Sequence, residues 1–223
     1  MEDQFLFLEK EKIEDKQIKI NKKTMKRKYH QYNLKYEVYE IVPIRKKDIF
    51  LIMDWRNKQI NILRQNKLLT KREQIKYYKT KIIPNFFKRH PDIILFSYLY
   101  DKKCIGYGGL VHIDWNNKKA ELSFLLDPIR LENEKQYEYE FSIFINFMKK
   151  ISFEKLKFNK IYTETFDLPE RKKHIEVLEK NGFKFEGKLR EHVYKKGKYI
   201  DSLIHSFLIK EYKEYEGNNK LER

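Results

Sequence analysis

Between residues 93 and 127 three apolar segments follow one another with only short polar breaks. Residues 93–100 are apolar and aromatic, Asp101-Lys102-Lys103 turns the chain, 104–113 returns, Asp114 to Asn117 turns it again, and 119–127 is the third segment. Apolar runs of this length bounded by turn residues read as strands. Breaks this short permit only antiparallel neighbours, so the segments form a meander. A sheet so rich in large apolar side chains needs cover, which restricts the chain to folds that lay other elements on it.

The flanking sequence supplies that cover. Phe141, Phe144, Ile145, Met148 and Ile151 recur at helical spacing after a polar loop over 129–135. Residues 160–166 are rich in strand formers. Pro169 opens a short helix and Asn181-Gly182 closes it, the expected asymmetry of helix ends. Two strands, 183–194 and 199–209, are joined by a Gly-containing hairpin at 195–198. Upstream, Tyr36, Val38, Ile41 and Ile44 mark one strand. Asp48 stands as N-cap before Ile49, Phe50, Ile52, Met53 and Trp55. Thr70 with Glu73 forms a capping box for a helix that Pro84 kinks or splits. The order β-α-α-β-β-β-α-β-α-β-β predicts an α+β (mixed α/β) fold, a mixed sheet of about seven strands with helices on both faces. One domain is expected over 34–212, with a polar, lysine-rich extension over 1–33 and a polar tail over 213–223.

Composition excludes several classes. A chain of 223 residues with 41% hydrophobic and 15% aromatic residues can build a real core. Its apolar runs fall far short of the ~20 residues of a membrane helix, and no secretory leader is visible. The single cysteine, Cys104, excludes a disulfide framework, and no histidine has a partner at metal-ligand spacing. A cytoplasmic address is therefore expected. The net charge of +16 invites nucleic acid as a partner. It is better read as background, because alanine occurs once while Lys, Ile, Asn, Phe and Tyr, all encoded by A and T alone, abound. Only ten of the 49 cations are arginines, and Lys22-Lys23 and Lys26-Arg27-Lys28 read as a solvated arm. Neither nucleic acid nor membrane is an expected partner.

Particular residues within this order resemble the GNAT superfamily of acetyl-CoA-dependent N-acetyltransferases. Cys104-Ile-Gly-Tyr-Gly-Gly-Leu110 looks like that family's third strand, and Lys119-Ala-Glu-Leu-Ser-Phe-Leu-Leu-Asp-Pro128 like its fourth. Leu178-Glu-Lys-Asn-Gly-Phe183, Glu186-Gly-Lys-Leu-Arg190 and Gly197-Lys-Tyr-Ile-Asp201 resemble the C-terminal signature of the Rim-type branch, which acetylates ribosomal proteins and includes nucleotide-aminosugar acetyltransferases. The resemblance covers about residues 38–210. It implies a splay between the fourth and fifth strands, here 119–127 and 160–166, with the backbone of Phe124, Leu125 and Leu126 facing acetyl-CoA. It also implies that the pyrophosphate sits at the next helix N-terminus, where free N–H groups favour anions.

The sequence departs from the family at that helix. Gln136 takes the first position of the phosphate loop, followed by Tyr137 and Glu138, but Tyr139 and Phe141 stand where small residues are expected. Glu134, Glu138 and Glu140 oppose an anion there, with lysines such as Lys135 to compensate. In the short helix Arg171 and Leu178 replace the family's Asn and Tyr, leaving Tyr194 or a water as candidate proton donor to the thiolate. Glu121, beside the splay, is the candidate general base, the alternative being a cross-strand partner for Lys118 or Lys119. His112 is a candidate base or relay; strand alternation predicts that it shares a face with Leu110 rather than Val111. The resemblance places the acceptor near Trp55, Arg56, Asn57, Arg64 and Gln65, with Trp55 stacking on a base or sugar and Arg56 pairing with phosphate. Core and solvated-helix roles remain open for these two. The expected function is acetyl transfer from acetyl-CoA, without a metal, to a primary amine of a nucleotide-linked amino sugar in surface-glycan assembly, by a monomer or homodimer. The alternatives are a protein N-terminal or ribosomal-protein acetyltransferase and a non-catalytic module of the same fold.

Overall fold

The computed structural model describes residues 31–214; the arm expected over 1–33 and the tail over 213–223 lie almost wholly outside them. Among the described residues eight strands form one sheet: β1 (Leu34–Tyr36), β2 (Tyr39–Pro43), β3 (Ile94–Tyr100), β4 (Lys103–Asp114), β5 (Lys119–Leu126), β6 (Lys160–Phe166), β7 (Lys184–Lys195) and β8 (Lys198–Leu208). Their order is β1-β2-β3-β4-β5-β6-β8-β7. The extra strand arises because the segment read as one strand is a hairpin, with Leu34 opposite Ile41 and Glu37 at φ 52°. A left-handed glutamate carries no turn signal in the sequence, since Gly, Asn or Asp usually marks that conformation.

Four main helices cover the sheet: α1 (Ile49–Lys58), α2 (Lys71–Tyr77), α3 (Glu134–Lys149) and α4 (Lys172–Lys180). On one face Phe141, Phe144, Ile145 and Met148 of α3 and Val177 and Leu178 of α4 pack against Phe96, Leu110 and Leu122. On the other, Ile52 and Trp55 of α1 pack with Leu95, Tyr107 and Leu125. Both cores follow from the period-2 alternation of β3, β4 and β5. The capping box forms as expected: Thr70 Oγ1 accepts from Glu73 N at 3.2 Å, and the Glu73 carboxylate accepts from Thr70 N at 2.9 Å. α2 passes through a widened turn at Tyr78–Ile82 before Pro84, which lies in the last short turn, Ile83–Asn85. Asp48 stands at the start of α1 but does not cap it. Its carboxylate takes Arg45 Nε at 2.6 Å and Ser97 Oγ at 2.7 Å, tying the helix entrance to β3.

The glycines of β4 set the helix spacing. A Cβ on Gly108 would stand 2.2 Å from Ser123 O and 2.8 Å from Phe144 Cζ, so α3 could not lie so close to the sheet. Gly109 has φ 151°, a conformation side chains rarely adopt.

β5 and β6 are parallel neighbours over Lys119–Glu121 and Lys160–Tyr162 only. Beyond that, β5 stays with β4 as far as Leu126, and β6 stays with β8 as far as Phe166. The sheet therefore opens at its middle, between the two segments expected to splay.

Candidate active site

Two cavities meet at this opening. One of about 240 Å³ is lined by Arg64, Glu121, Phe124, Thr163, Glu164 and Thr165 among others. The other, of about 450 Å³, is lined by Leu125, Leu126, Tyr137, Arg171, Lys172 and Lys173 among others. Ile62, Phe124, Arg171 and His174 border both, so the two cavities adjoin and form one passage along the opening.

The edge of β5 along the passage can be assigned. Asp127 N donates to Ile105 O across the meander at 2.9 Å, whereas Leu126 O turns the other way and accepts from Gln59 Nε2 at 2.8 Å. Successive residues of a strand point their polar groups to opposite sides. The N–H and C=O of Phe124 therefore face the passage with those of Leu126, while those of Leu125 face β4. This corrects the expectation that all three backbones face the cofactor; Leu125 instead packs its side chain beside Ile52 and Trp55. Gln59 was not foreseen, because nothing local marks a glutamine that reaches across 67 residues.

Three buried polar atoms at the passage have no hydrogen-bond partner among the described residues: Thr163 Oγ1, Thr165 Oγ1 and Arg171 Nε. Burying such atoms unpaired is costly, so their convergence on one passage fits a ligand with oxygen acceptors and polar groups. Burial lowers the Arg171 pKa, which an anion would reverse. The first turns of α3 and α4 border the larger cavity as well.

α3 starts at Glu134 with Asn133 as N-cap, its Oδ1 accepting from Gln136 N at 3.1 Å, so Gln136 lies inside the first turn rather than ahead of it. The large residues in place of glycines turn away from the passage. Tyr139 is exposed and meets Tyr39 edge-on at 5.9 Å. Phe141 is fully buried, stacked on Phe124 at 4.3 Å and on His174 at 4.5 Å. The expected acidic opposition is also relieved. Glu138 is held by Lys173 at 2.8 Å and Lys180 at 2.6 Å, and buried Glu140 by Arg130 with Gln136 and Tyr39.

In the smaller cavity Glu121 is buried, its Oε2 2.7 Å from His112 Nδ1 and its Oε1 2.9 Å from Arg64 Nη2. Arg64 also reaches Glu164 at 2.9 Å, and His192 Nε2 lies 3.7 Å from the same carboxylate. Neither Lys118 nor Lys119 pairs with Glu121. The face predicted for His112 is corrected: a bulge interrupts β4 between Val111 and Asp114, with His112 at φ 46°. Leu110 points to the α3 side, but Val111 lies opposite Glu121, and the bulge swings the imidazole to that side.

A family model, the GNAT acetyltransferase domain, matches residues 41–204. The chain belongs to this family. The GNAT fold is also that of the spermidine N-acetyltransferase from Vibrio cholerae, solved in complex with CoA and spermine. That structure superposes with a TM-score of 0.68 at 22% identity, over 79% of this chain and 99% of the other. A dodecameric structure of the same enzyme in an intermediate state gives 0.65 at 23%, over 79% and 97%. No curated protein matches in sequence. The chain is thus a GNAT N-acetyltransferase, with acetyl-CoA as co-substrate. Among the described residues no three His, Cys, Asp or Glu converge as metal ligands, and no helix is long and apolar enough to cross a membrane.

Several acceptor residues expected in this GNAT domain serve as scaffolding. Trp55 is buried in the α1 core and cannot stack on a ligand. Asn57 and Gln65 brace the loop after α1: Asn57 Oδ1 accepts from Leu69 N at 2.8 Å and from Gln65 Nε2 at 2.9 Å. Arg56 borders the cavity, but its guanidinium donates to Tyr107 Oη and to Gln65 Oε1. Tyr194 is exposed, meets Tyr199 edge-on, and lines neither cavity, which corrects its placement as proton donor.

His174, unforeseen, donates or accepts with Tyr137 Oη at 2.7 Å beneath the passage. Burial, then the nearby Arg171 and His205, hold its pKa well below the usual 6.5. The folded protein keeps it neutral, while the unfolded chain takes up a proton as pH falls through about 6.5. Stability is then full above that pH and declines below it. The melting temperature should fall between about pH 7 and pH 5, and less steeply in His174→Gln; parallel slopes would remove His174 from this role.

Proposed function

We propose that this N-acetyltransferase acetylates a primary amine of a small, flexible acceptor with more than one cationic nitrogen, with Glu121 as general base. The observation that carries this reading is the pair of carboxylates, Glu121 and Glu164, in the small cavity where β5 and β6 part. An alkyl ammonium titrates near ~10.4 and must lose a proton before it can attack. Glu121 is placed to accept it, and His112, whose side chain is 63% exposed, passes it to solvent. Acetyl-CoA supplies the acetyl thioester. The N–H of Phe124 faces the passage, where it can donate to an oxyanion. A thiol with a pKa near ~8.5 leaves as thiolate without an obligate acid, so buried Leu178 in place of tyrosine is tolerated. Arg171 and the two threonine hydroxyls hold the donor.

The nucleotide-sugar acceptor fits less well. About 240 Å³ is small for it, Trp55 is in the core, and Arg56 and Arg64 are already engaged. A phosphate would meet Glu121 and Glu164 instead. The spermidine N-acetyltransferases of the same fold support a polyamine-like acceptor.

Steady-state rates with acetyl-CoA and a panel of spermidine, 1,4-diaminobutane, butylamine and UDP-aminosugars test this reading. Turnover of the diamine and spermidine is expected; turnover of a UDP-aminosugar alone overturns it. Arg171→Gln should raise the acetyl-CoA KM by about 10- to 100-fold, the worth of a charged hydrogen bond, with little change in the acceptor KM. Equal shifts in both constants would place Arg171 outside the donor site.

A further inference from the structure

Arg64 stands on the irregular loop between α1 and α2, yet its guanidinium lies between two carboxylates from different strands. Nη2 is 2.9 Å from Glu121 Oε1 and 2.9 Å from Glu164 Oε2, while Nη1 donates to Glu121 Oε2 at 3.1 Å. The three residues line the same cavity. Glu121 lies at the last paired position of β5, opposite Tyr162, and Glu164 comes two residues later on β6. The guanidinium therefore bridges the mouth of the opening in the sheet. The side chain is 40% exposed and reaches this place from the solvent side, whereas the loop beneath it is anchored by other groups. Gln65 is held by Arg56 and Asn57, and Lys195 Nζ donates to Ile60 O and Gln65 O. The loop can thus keep its fold when the Arg64 side chain moves.

We propose that Arg64 is a tethered cation that occupies the place of the acceptor's ammonium group and has to be displaced by it. The inference rests on Glu121 and Glu164 forming the acceptor site. A neutral guest could not exchange for the guanidinium without leaving two carboxylates unpaired. A guest with two cationic nitrogens replaces both ion pairs, one nitrogen at Glu121 and one near Glu164. Arg64 therefore acts as a filter: it raises the threshold for every acceptor and does so least for diamines.

The experiment compares wild type, Arg64→Gln and Arg64→Lys with 1,4-diaminobutane, butylamine and acetyl-CoA as probes. It combines steady-state rates with calorimetric binding of each amine to the CoA-bound enzyme. Removing a partly exposed pair of ion bridges should tighten amine binding in Arg64→Gln by about tenfold. The KM for butylamine should fall more than that for the diamine, kcat should not decrease, and the acetyl-CoA KM should not change. Arg64→Lys, which keeps the charge, should stay close to wild type. A higher amine KM or a lower kcat in Arg64→Gln would overturn the proposal and make Arg64 a group that positions Glu121. Amine binding and turnover in wild type that Arg64→Gln leaves unaltered would overturn it while leaving the acceptor site intact. If no amine binds either protein although acetyl-CoA does, the acceptor reading itself fails and the filter falls with it.

Discussion

Glu121→Gln should lower kcat by roughly 10²–10⁴-fold while the protein stays folded. Glutamine keeps the shape of the side chain and can still face His112 and Arg64, but it cannot take a proton from an ammonium group. Arg64 retains Glu164 as a partner and is partly exposed, so the lost ion pair costs about 1 kcal/mol or less. The melting temperature should change little. The decisive readout is the pH dependence of kcat/KM. The acid limb of the wild-type profile should be missing in the variant. A variant within about threefold of wild type with an unchanged pH profile would remove Glu121 from the role of base.

Phe141→Ala should destabilise the protein by about 3–5 kcal/mol. The ring is fully buried and nearly parallel to Phe124, with an interplanar angle of 7°, and to His174, at 16°. Its loss opens a cavity between α3, α4 and β5, where neighbours held by the sheet and two helices cannot collapse. For a chain of this size the melting temperature should drop by about 10 °C or more. Phe124 carries the backbone edge of the passage, so the acetyl-CoA KM should rise as well. Tyr139→Ala, two residues earlier on the exposed side of α3, should cost less than about 1 kcal/mol. Chemical denaturation of the two variants checks this; a loss below about 1 kcal/mol for Phe141→Ala would mean the stack is not a stabilising contact.

These two positions also show how much of the site was legible beforehand. The strands and helices over 93–209 emerge where the apolar spacing places them, because periodicity is a local property of the chain. The opening between 119–126 and 160–166 and the position of Glu121 beside it follow from the resemblance and from strand order. Residues 34–43 hid a hairpin, because the turn depends on a left-handed glutamate. Phe141 looked like an obstacle to the cofactor; only the packing of α3 against Phe124 shows that the ring points into the core. Trp55 and Tyr194 were expected at the site for their chemistry, and burial in one case and exposure in the other exclude them. Gln59, Arg171's unpartnered Nε and His174 are long-range features with no local signature.

The amino-acid sequence alone determined the element order from α1 onward, the two-faced burial of the sheet and the GNAT superfamily. Each of these rests on interactions between residues close in the chain or on motifs read in line. The tertiary structure decided which side chains meet at the opening. A bulge swings His112 onto Glu121, and the loop after α1 carries Arg64 across 57 residues to Glu121 and 100 to Glu164. Such contacts depend on register and loop path, which periodicity does not encode.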